Sequence, residues 1–231
     1  MRVLLADHFP LGGPTAASHT RQLAEALIGQ GHHVGALVAD RERDDPQQFM
    51  ELRVICRADD AQADLSFDLP TFSTAVVGVQ TFESLTDRQL ADYRNALRRA
   101  LDRLVDQFNP DIIHVQHVWV LGQLALETGV PYVLTAWPDE FSAYAVDVRY
   151  RGLVEQAAEN AGRIFVDSAQ LAQRMLAALD GAVERARIVT LREGAHQSQA
   201  HRAQGAAPPL EQSELDEILA GYVAVLRERF G

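Results

Sequence analysis

Apolar and polar positions fall into blocks whose period changes along the chain. Val3-Leu4-Leu5-Ala6 is a short apolar run that breaks at Asp7 and passes into a loop holding Pro10, Gly12 and Gly13. An Ala/Leu-rich segment follows, then Gly31, then a second apolar run from Val34 to Ala39. Strand, glycine loop, helix, glycine stop and strand is the order of one βαβ unit. A glycine loop ahead of a helix lets the main chain approach an anion closely, and the helix N-terminus favours negative charge. Gly12 and Gly13 are therefore candidate ligand contacts, with a tight turn as their plainer use.

The pattern then repeats. Leu52 to Cys56 predicts a third strand, and Ala58 to Ser84 reads mostly as loop with a strand-like piece over 75–79. Thr86 and Gln89 have the spacing of a capping box. Leu90, Tyr93, Leu97, Leu101, Leu104 and Phe108 recur at i+3 and i+4, which predicts one long amphipathic helix ending at Asn109-Pro110. Asp111 to Val115 reads as a buried strand, with His117, Trp119 and a short helix to Glu127 after it. Tyr132 to Ala136 reads as the next strand. A helix over 149–160, a strand over 163–166, a helix capped by Ser168 and running to Leu179, and a strand over 187–191 complete the series. Strands alternating with helices over short connections predict an α/β fold: a doubly wound, Rossmann-like parallel sheet.

Residues 1–194 form that predicted domain. From 195 to 212 the chain is Gln, Ala, Gly, His and Pro without period, including Pro208-Pro209, and reads as a linker. Ser213 is placed to cap a last helix over 213–231, whose Leu215, Ile218, Leu219, Tyr222, Leu226 and Phe230 make one apolar face. A lone amphipathic helix must bury that face, so it is expected to pack back on the sheet domain.

Composition narrows the chemistry. With 47% hydrophobic and 23% charged residues the 231-residue chain can build a large core. No stretch reaches the length of a membrane span, and no basic region precedes the first apolar run. The single cysteine, Cys56, lies in an apolar run, which excludes internal disulfides and suits a reducing compartment, so the protein is expected in the cytoplasm. A net charge of −11 argues against nucleic acid as a partner. Lysine is absent, which removes Schiff-base and Walker-type lysine chemistry.

Ligands of open α/β sheets bind beyond the C-terminal ends of the strands. Four such ends carry polar residues: Asp7, His8, Gly12 and Gly13; His114, Gln116 and His117; Trp137, Asp139 and Glu140; and Glu193, Gly194 and His196. His114 lies inside an apolar strand, where a hydrogen-bonded core histidine explains it as well as a ligand contact does. His117, just past that strand, is the better candidate for exposed chemistry. Asp139 and Glu140 offer a base or a helix cap. A His114/His117 metal pair is a weak prospect at that spacing. The dinucleotide fingerprint, the P-loop, the G-x-S-x-G elbow and H-E-x-x-H are all missing, which counts against an unrelated Rossmann oxidoreductase.

Taken together these blocks resemble the N-terminal, acceptor-side domain of retaining GT-B glycosyltransferases of family 4. MRVLLADHFPLGGPTAASHTRQLAEALIGQGHHV is similar to that family's opening, with its Gly-Gly loop and its helix exit at GH-x-V. NPDIIHVQHVWVLG resembles its PD-x-x-HVHH strand and GVPYVLTAWPDE its G-x-P-x-V-x-T-x-H-G-x-D strand. AGRIFVDSAQLAQRML and RARIVTLREG resemble two later blocks. The resemblance covers residues 1–194 and implies transfer of a sugar from a nucleotide-sugar donor, without an obligatory metal or other cofactor. It implies donor phosphate contacts at Gly12 and Gly13. His117 and Glu140 are the expected catalytic pair, and His8, His114, Gln116, Trp137, Asp139, Glu193 and Gly194 the expected substrate contacts. Gln116 and Trp137 stand where the family usually has histidines, and Arg192-Glu193 replaces its Pro-Asn. The family's second, donor-binding domain has no counterpart in these residues. The expectation is an acceptor-binding domain that is inactive or weak alone, partnered by a donor-binding domain or chain, with a homodimer also open. The alternative is a non-catalytic binding module on the same fold.

Overall fold

The computed structural model describes residues 1–11, 16–43, 49–72, 79–138, 140–141, 144, 147–191 and 210–230, without the side chains of 16–18. The loop glycines Gly12 and Gly13, most of the strand-like piece at 75–79, Asp139, Glu193, Gly194 and nearly all of the linker lie outside the described residues. Seven strands carry the fold: β1 (Arg2–Asp7), β2 (His33–Asp40), β3 (Met50–Ile55), β4 (Ile112–Gln116), β5 (Tyr132–Thr135), β6 (Ile164–Val166) and β7 (Ile188–Thr190). They pair in the order β3-β2-β1-β4-β5-β6-β7, and every pairing is parallel. The strand order reverses direction between β1 and β4, in register from Val3 opposite Ile112 to Asp7 opposite Gln116. That switch point is where the helices diverge to the two faces and leave a crevice.

Six described helices flank the sheet: α1 (Ala16–Gly29), α2 (Asp87–Phe108), α3 (Val120–Thr128), α4 (Arg151–Asn160), α5 (Ala169–Ala178) and α6 (Gln212–Phe230). Side chains alternate between faces along each strand. Leu4 and Ala6 of β1 join the larger core cluster under α2, α3, α4 and α5, whereas Val3 and Leu5 join a smaller one under α1 and α6. The α2 stripe is as its spacing predicts. Thr86 and Gln89 form the reciprocal capping box, and Leu90, Tyr93, Leu97, Leu101 and Leu104 are buried. At the far end of α2, Phe108 lies across Gly35 of β2, its ring 3.3 Å from where a Cβ would stand. A Cβ there would be tight, so the ring would have to give by a few tenths of an ångström.

The last helix packs back on the sheet, with two differences from the sequence pattern. Ser213 does not cap it, because the helix already starts at Gln212 and the Glu211 carbonyl accepts from the N–H groups of Glu214 and Leu215, each at 3.1 Å. Phe230 is 74% exposed rather than buried. The buried line is Leu215, Ile218, Tyr222 and Val225, at i+3 and i+4 steps, and Phe230 lies about a quarter-turn round from it. Among the described residues no helix is long and apolar enough to cross a membrane.

Candidate functional site

Strands β1 and β4 end side by side, and their last residues meet at the switch point. Asp7 closes β1 fully buried. Its Oδ2 accepts from the Thr20 hydroxyl of α1 at 2.5 Å and its Oδ1 from the Phe9 N–H at 3.1 Å. Burial pushes its carboxyl up to about 6, and these hydrogen bonds, with the nearby His19, hold it from going higher. The next residue, His8, shares a 2.8 Å hydrogen bond between Nδ1 and the Tyr93 hydroxyl. Burial lowers its pKa to about 3, so His8 is neutral at physiological pH.

Two histidines three residues apart, one on β4 and one just after it, are both buried but differently held. His114 is enclosed, with Nδ1 2.6 Å from the Tyr222 hydroxyl of α6 and Nε2 2.7 Å from the Thr135 hydroxyl of β5. Burial pushes it down to about 3 as well. With both ring nitrogens taken inside the fold, His114 serves packing, the plainer of its two readings. His117 follows the strand in the left-handed region, at φ +95°. For a residue with a Cβ that conformation is strained and persists only where the surroundings enforce it. Its Nε2 stands 3.8 Å from Asp7 Oδ1 and its Nδ1 3.9 Å from Glu140 Oε2. The rings of Phe72 and Phe9 close the other side, with centroids 4.9 and 5.4 Å away.

Glu140 is buried and anchored: Oε2 accepts from the Val118 N–H at 2.8 Å and Oε1 from the Trp137 N–H at 2.6 Å. It braces the segment after β5 against the segment after β4, which is also how it fixes the height of His117. Gln116, between His114 and His117, is fully buried, and neither its amide oxygen nor its amide nitrogen has a hydrogen-bond partner among the described residues. A buried amide left so is costly and marks a place where a further polar group belongs. Trp137 sets its ring edge-on to His19, centroids 5.6 Å apart.

The structure thus brings His8, Gln116, His117, Trp137 and Glu140 to one edge, and sends His114 into the core. It adds residues that the linear pattern does not single out. His19 and Thr20 lie in the early part of α1, and Glu214 lies in the first turn of α6, almost fully buried with Oε1 3.0 Å from His19 Nε2. Nothing local announces that pair, because its members are 195 residues apart. Among the described residues no group of three or more His, Cys, Asp or Glu side chains could hold a metal ion.

Comparison with known proteins agrees with this architecture. The chain is similar in fold to sucrose-phosphate synthase from Thermosynechococcus elongatus, at a TM-score of 0.54 and 16% identity, over 82% of this chain and 47% of that one. A second form of the same enzyme, designated 27_220_406_426, matches over 100% of both chains at a TM-score of 0.52 and 15% identity. The lipopolysaccharide outer core galactosyltransferase WaaB matches over 85% of this chain and 47% of its own, at 0.51 and 9%. The chain therefore spans about half the length of two of these three structures. No curated protein matches it in sequence. Residues 15–194, from the start of α1 to just beyond β7, match the glycosyl transferase 4-like domain. With the match running from α1 through β2 to β7 and over most of the sequence, this chain belongs to the glycosyl transferase 4-like family.

Proposed function

We propose that the chain is the acceptor-binding half of a retaining glycosyltransferase site. In this reading a sugar passes from a nucleotide-sugar donor to an acceptor held at the β1/β4 crevice. The observation that carries it is His117, held in left-handed backbone at the switch point between Asp7 and Glu140. Strain of that kind is kept where a side chain must face a ligand. His117 is the group to meet the reacting sugar or the acceptor hydroxyl, with Glu140 fixing its height and Asp7 its electrostatics. Gln116 offers one donor and one acceptor to a ligand hydroxyl. Leaving-group charge on the donor diphosphate needs main-chain N–H donors and a helix dipole, which a helix start such as that of α1 supplies. Gly12 and Gly13 are the proposed contacts there, and Asp139, Glu193 and Gly194 the proposed contacts from the neighbouring strand ends. No metal or cofactor is assigned to the reaction.

A donor-binding counterpart, as a second domain or a separate chain, completes the cleft in this reading, in keeping with a chain that spans about half of its structural relatives. The test is calorimetry of the purified chain with a panel of nucleotide sugars, together with a transfer assay. Weak donor binding that H117A reduces, with little transfer, is the expected result. Robust transfer by the 231 residues alone overturns the half-site reading.

One observation favours a second reading. Gln116 and Trp137 stand where proton-carrying side chains are expected, and the Gln116 amide recognises hydroxyls without moving a proton. A binding module without catalysis fits that exchange. It gains if glycans bind, nucleotide sugars do not, and added donor-binding chains produce no transfer.

A further inference from the structure

Five ionisable side chains are gathered beneath the ends of β1 and β4, and they alternate in kind: Glu214, His19, Asp7, His117 and Glu140. All are at most 7% exposed. Glu214 on α6 is 3.0 Å from His19 on α1. His19 adjoins Thr20, whose hydroxyl donates to Asp7 at 2.5 Å, and from there it favours the ionised form of Asp7. Asp7 stands 3.8 Å from His117, and His117 3.9 Å from Glu140. A carboxylate taken out of water is tolerated only with a partner of opposite charge or strong donors. Glu214 is one end of the series, and it belongs to a helix whose other ties to the domain include apolar side chains, the Tyr222 hydroxyl and, at its exposed far end, the Glu228–Arg163 ion pair. An apolar residue would serve that position if docking were its sole task, because replacing a buried ion pair by packed apolar groups is often neutral.

We propose that Glu214 is a positioning residue for the crevice: through His19 it holds Asp7 charged beside His117, so that the C-terminal helix is a working part of the site. The role given to His117 rests on the function proposed above, whereas the link itself needs no turnover to be measured. Among the described residues, the groups facing His19 include Asp7 from β1, neutral His114 from β4, the Trp137 ring after β5 and Glu214 from α6. Asp7 itself is also faced by the Thr20 hydroxyl, the Phe9 and His8 N–H groups and His117.

The test is a carbon-13 carboxyl titration of Asp7 in the full chain, which begins from a midpoint of about 6. The sign separates the alternatives. Removing a nearby negative charge by itself lowers the Asp7 midpoint, whereas removing the group that keeps His19 in place raises it. E214Q is expected to raise it by about 0.5–1 pH unit, H19Q by at least as much, and the double variant no further than H19Q alone. Y222F, which cuts another buried polar tie of α6, is expected to leave it where it was. A fall or no change in both E214Q and H19Q overturns the proposal, as does an equal rise in Y222F, which would assign the effect to helix docking in general. Should E214Q fail to fold, H19Q against Y222F carries the same comparison. Loss of glycosyl transfer chemistry altogether would leave this titration result standing, so the two readings fail separately.

Discussion

The two faces of the sheet are held by different chemistry. Under α2, α3, α4 and α5 the cluster is broad, aliphatic and aromatic, with Tyr93, Leu97, Phe82, Trp119 and Tyr150 all essentially dry. Under α1 and α6 it is smaller, and buried polar ties cross it: Tyr222 to His114, His114 to Thr135, and His19 to Glu214. Apolar area is non-directional and holds the first face with little regard to exact placement. Directed bonds fix one docking of α6 and carry charge towards the crevice. Buried ties occur on the first face too, His8 with Tyr93 and the Tyr132 and Tyr150 hydroxyls with the Ala157 and Phe82 carbonyls, but on the second face they join the last helix to the middle of the sheet.

Truncation on the first face is the strongest way to challenge that contrast. Leu97 is fully buried midway along α2, and L97A is expected to lose about 2–5 kcal/mol in urea unfolding, the lost transfer energy plus the cavity. A loss under about 1 kcal/mol would show a face that collapses freely around the gap, against its dense aromatic packing.

Acid comes next, because each face holds one neutral buried histidine, His8 against Tyr93 and His114 against Tyr222. Both are pushed down to about 3 by burial, while in the unfolded chain they protonate near the usual histidine value of 6.5. Between those values the unfolded state binds more protons, so each histidine costs stability as pH falls. Asp7 runs the other way: its folded value is raised to about 6, so the folded state takes up a proton first and gains stability as pH falls from 6 towards 4. Two protons against one leave a net loss of about 1.4 kcal/mol per pH unit, or about 2–3 kcal/mol between pH 6 and 4. Urea titrations across that range measure it. In H114Q the remaining histidine and Asp7 oppose each other and the slope flattens; an unchanged slope would mean that His114 is not neutral in the folded protein.

How legible this was from the sequence follows the same division. The α2 face was readable because its information is local: a capping box at Thr86 and a stripe at i+3 and i+4 specify the helix before any partner is known. The parallel sheet followed from apolar runs alternating with helices, and the crevice from the residues at strand ends, so His8, Gln116, His117, Trp137 and Glu140 could be picked out. What they do there could not. His117 was expected to be exposed, yet it is 3% exposed, packed on Phe9 and Phe72 and turned by left-handed backbone at φ +95° that no sequence spacing encodes. The Glu214–His19 tie depends on the docking of α6 across the whole fold. Phe230 was misplaced for a geometric reason: hydrophobicity marks residues able to be buried, and the line through Leu215, Ile218, Tyr222 and Val225 already fills the contact.

The closeness of α6 to the sheet gives the next test. A Cβ at Gly221 would stand 2.6 Å from Phe165 Cζ and 3.1 Å from Cε1, and Phe165 is itself fully buried with little room to move. G221V is expected to lose about 1–3 kcal/mol by overpacking, read as a lower unfolding midpoint. If it is tolerated, α6 can shift outwards at little cost, and its single docking is not enforced by shape.

The smallest effect decides most about the contrast. Y222F keeps the ring that packs on this face, edge-on to His114 with centroids 5.6 Å apart, and removes only the hydroxyl. His114 Nδ1 then loses its 2.6 Å partner while Nε2 keeps Thr135. A net loss of about 1 kcal/mol is expected, the ordinary worth of one buried hydrogen bond, because the apolar contact survives. The variant T135V removes the other partner, and the pair should be non-additive, since after either loss His114 can turn to favour the bond that remains. Additive losses would show two independent bonds on a fixed ring. No loss in Y222F would mean that the Tyr222–His114 bond adds nothing to the docking of α6, and the contrast between the two faces would then rest on the Glu214–His19 pair.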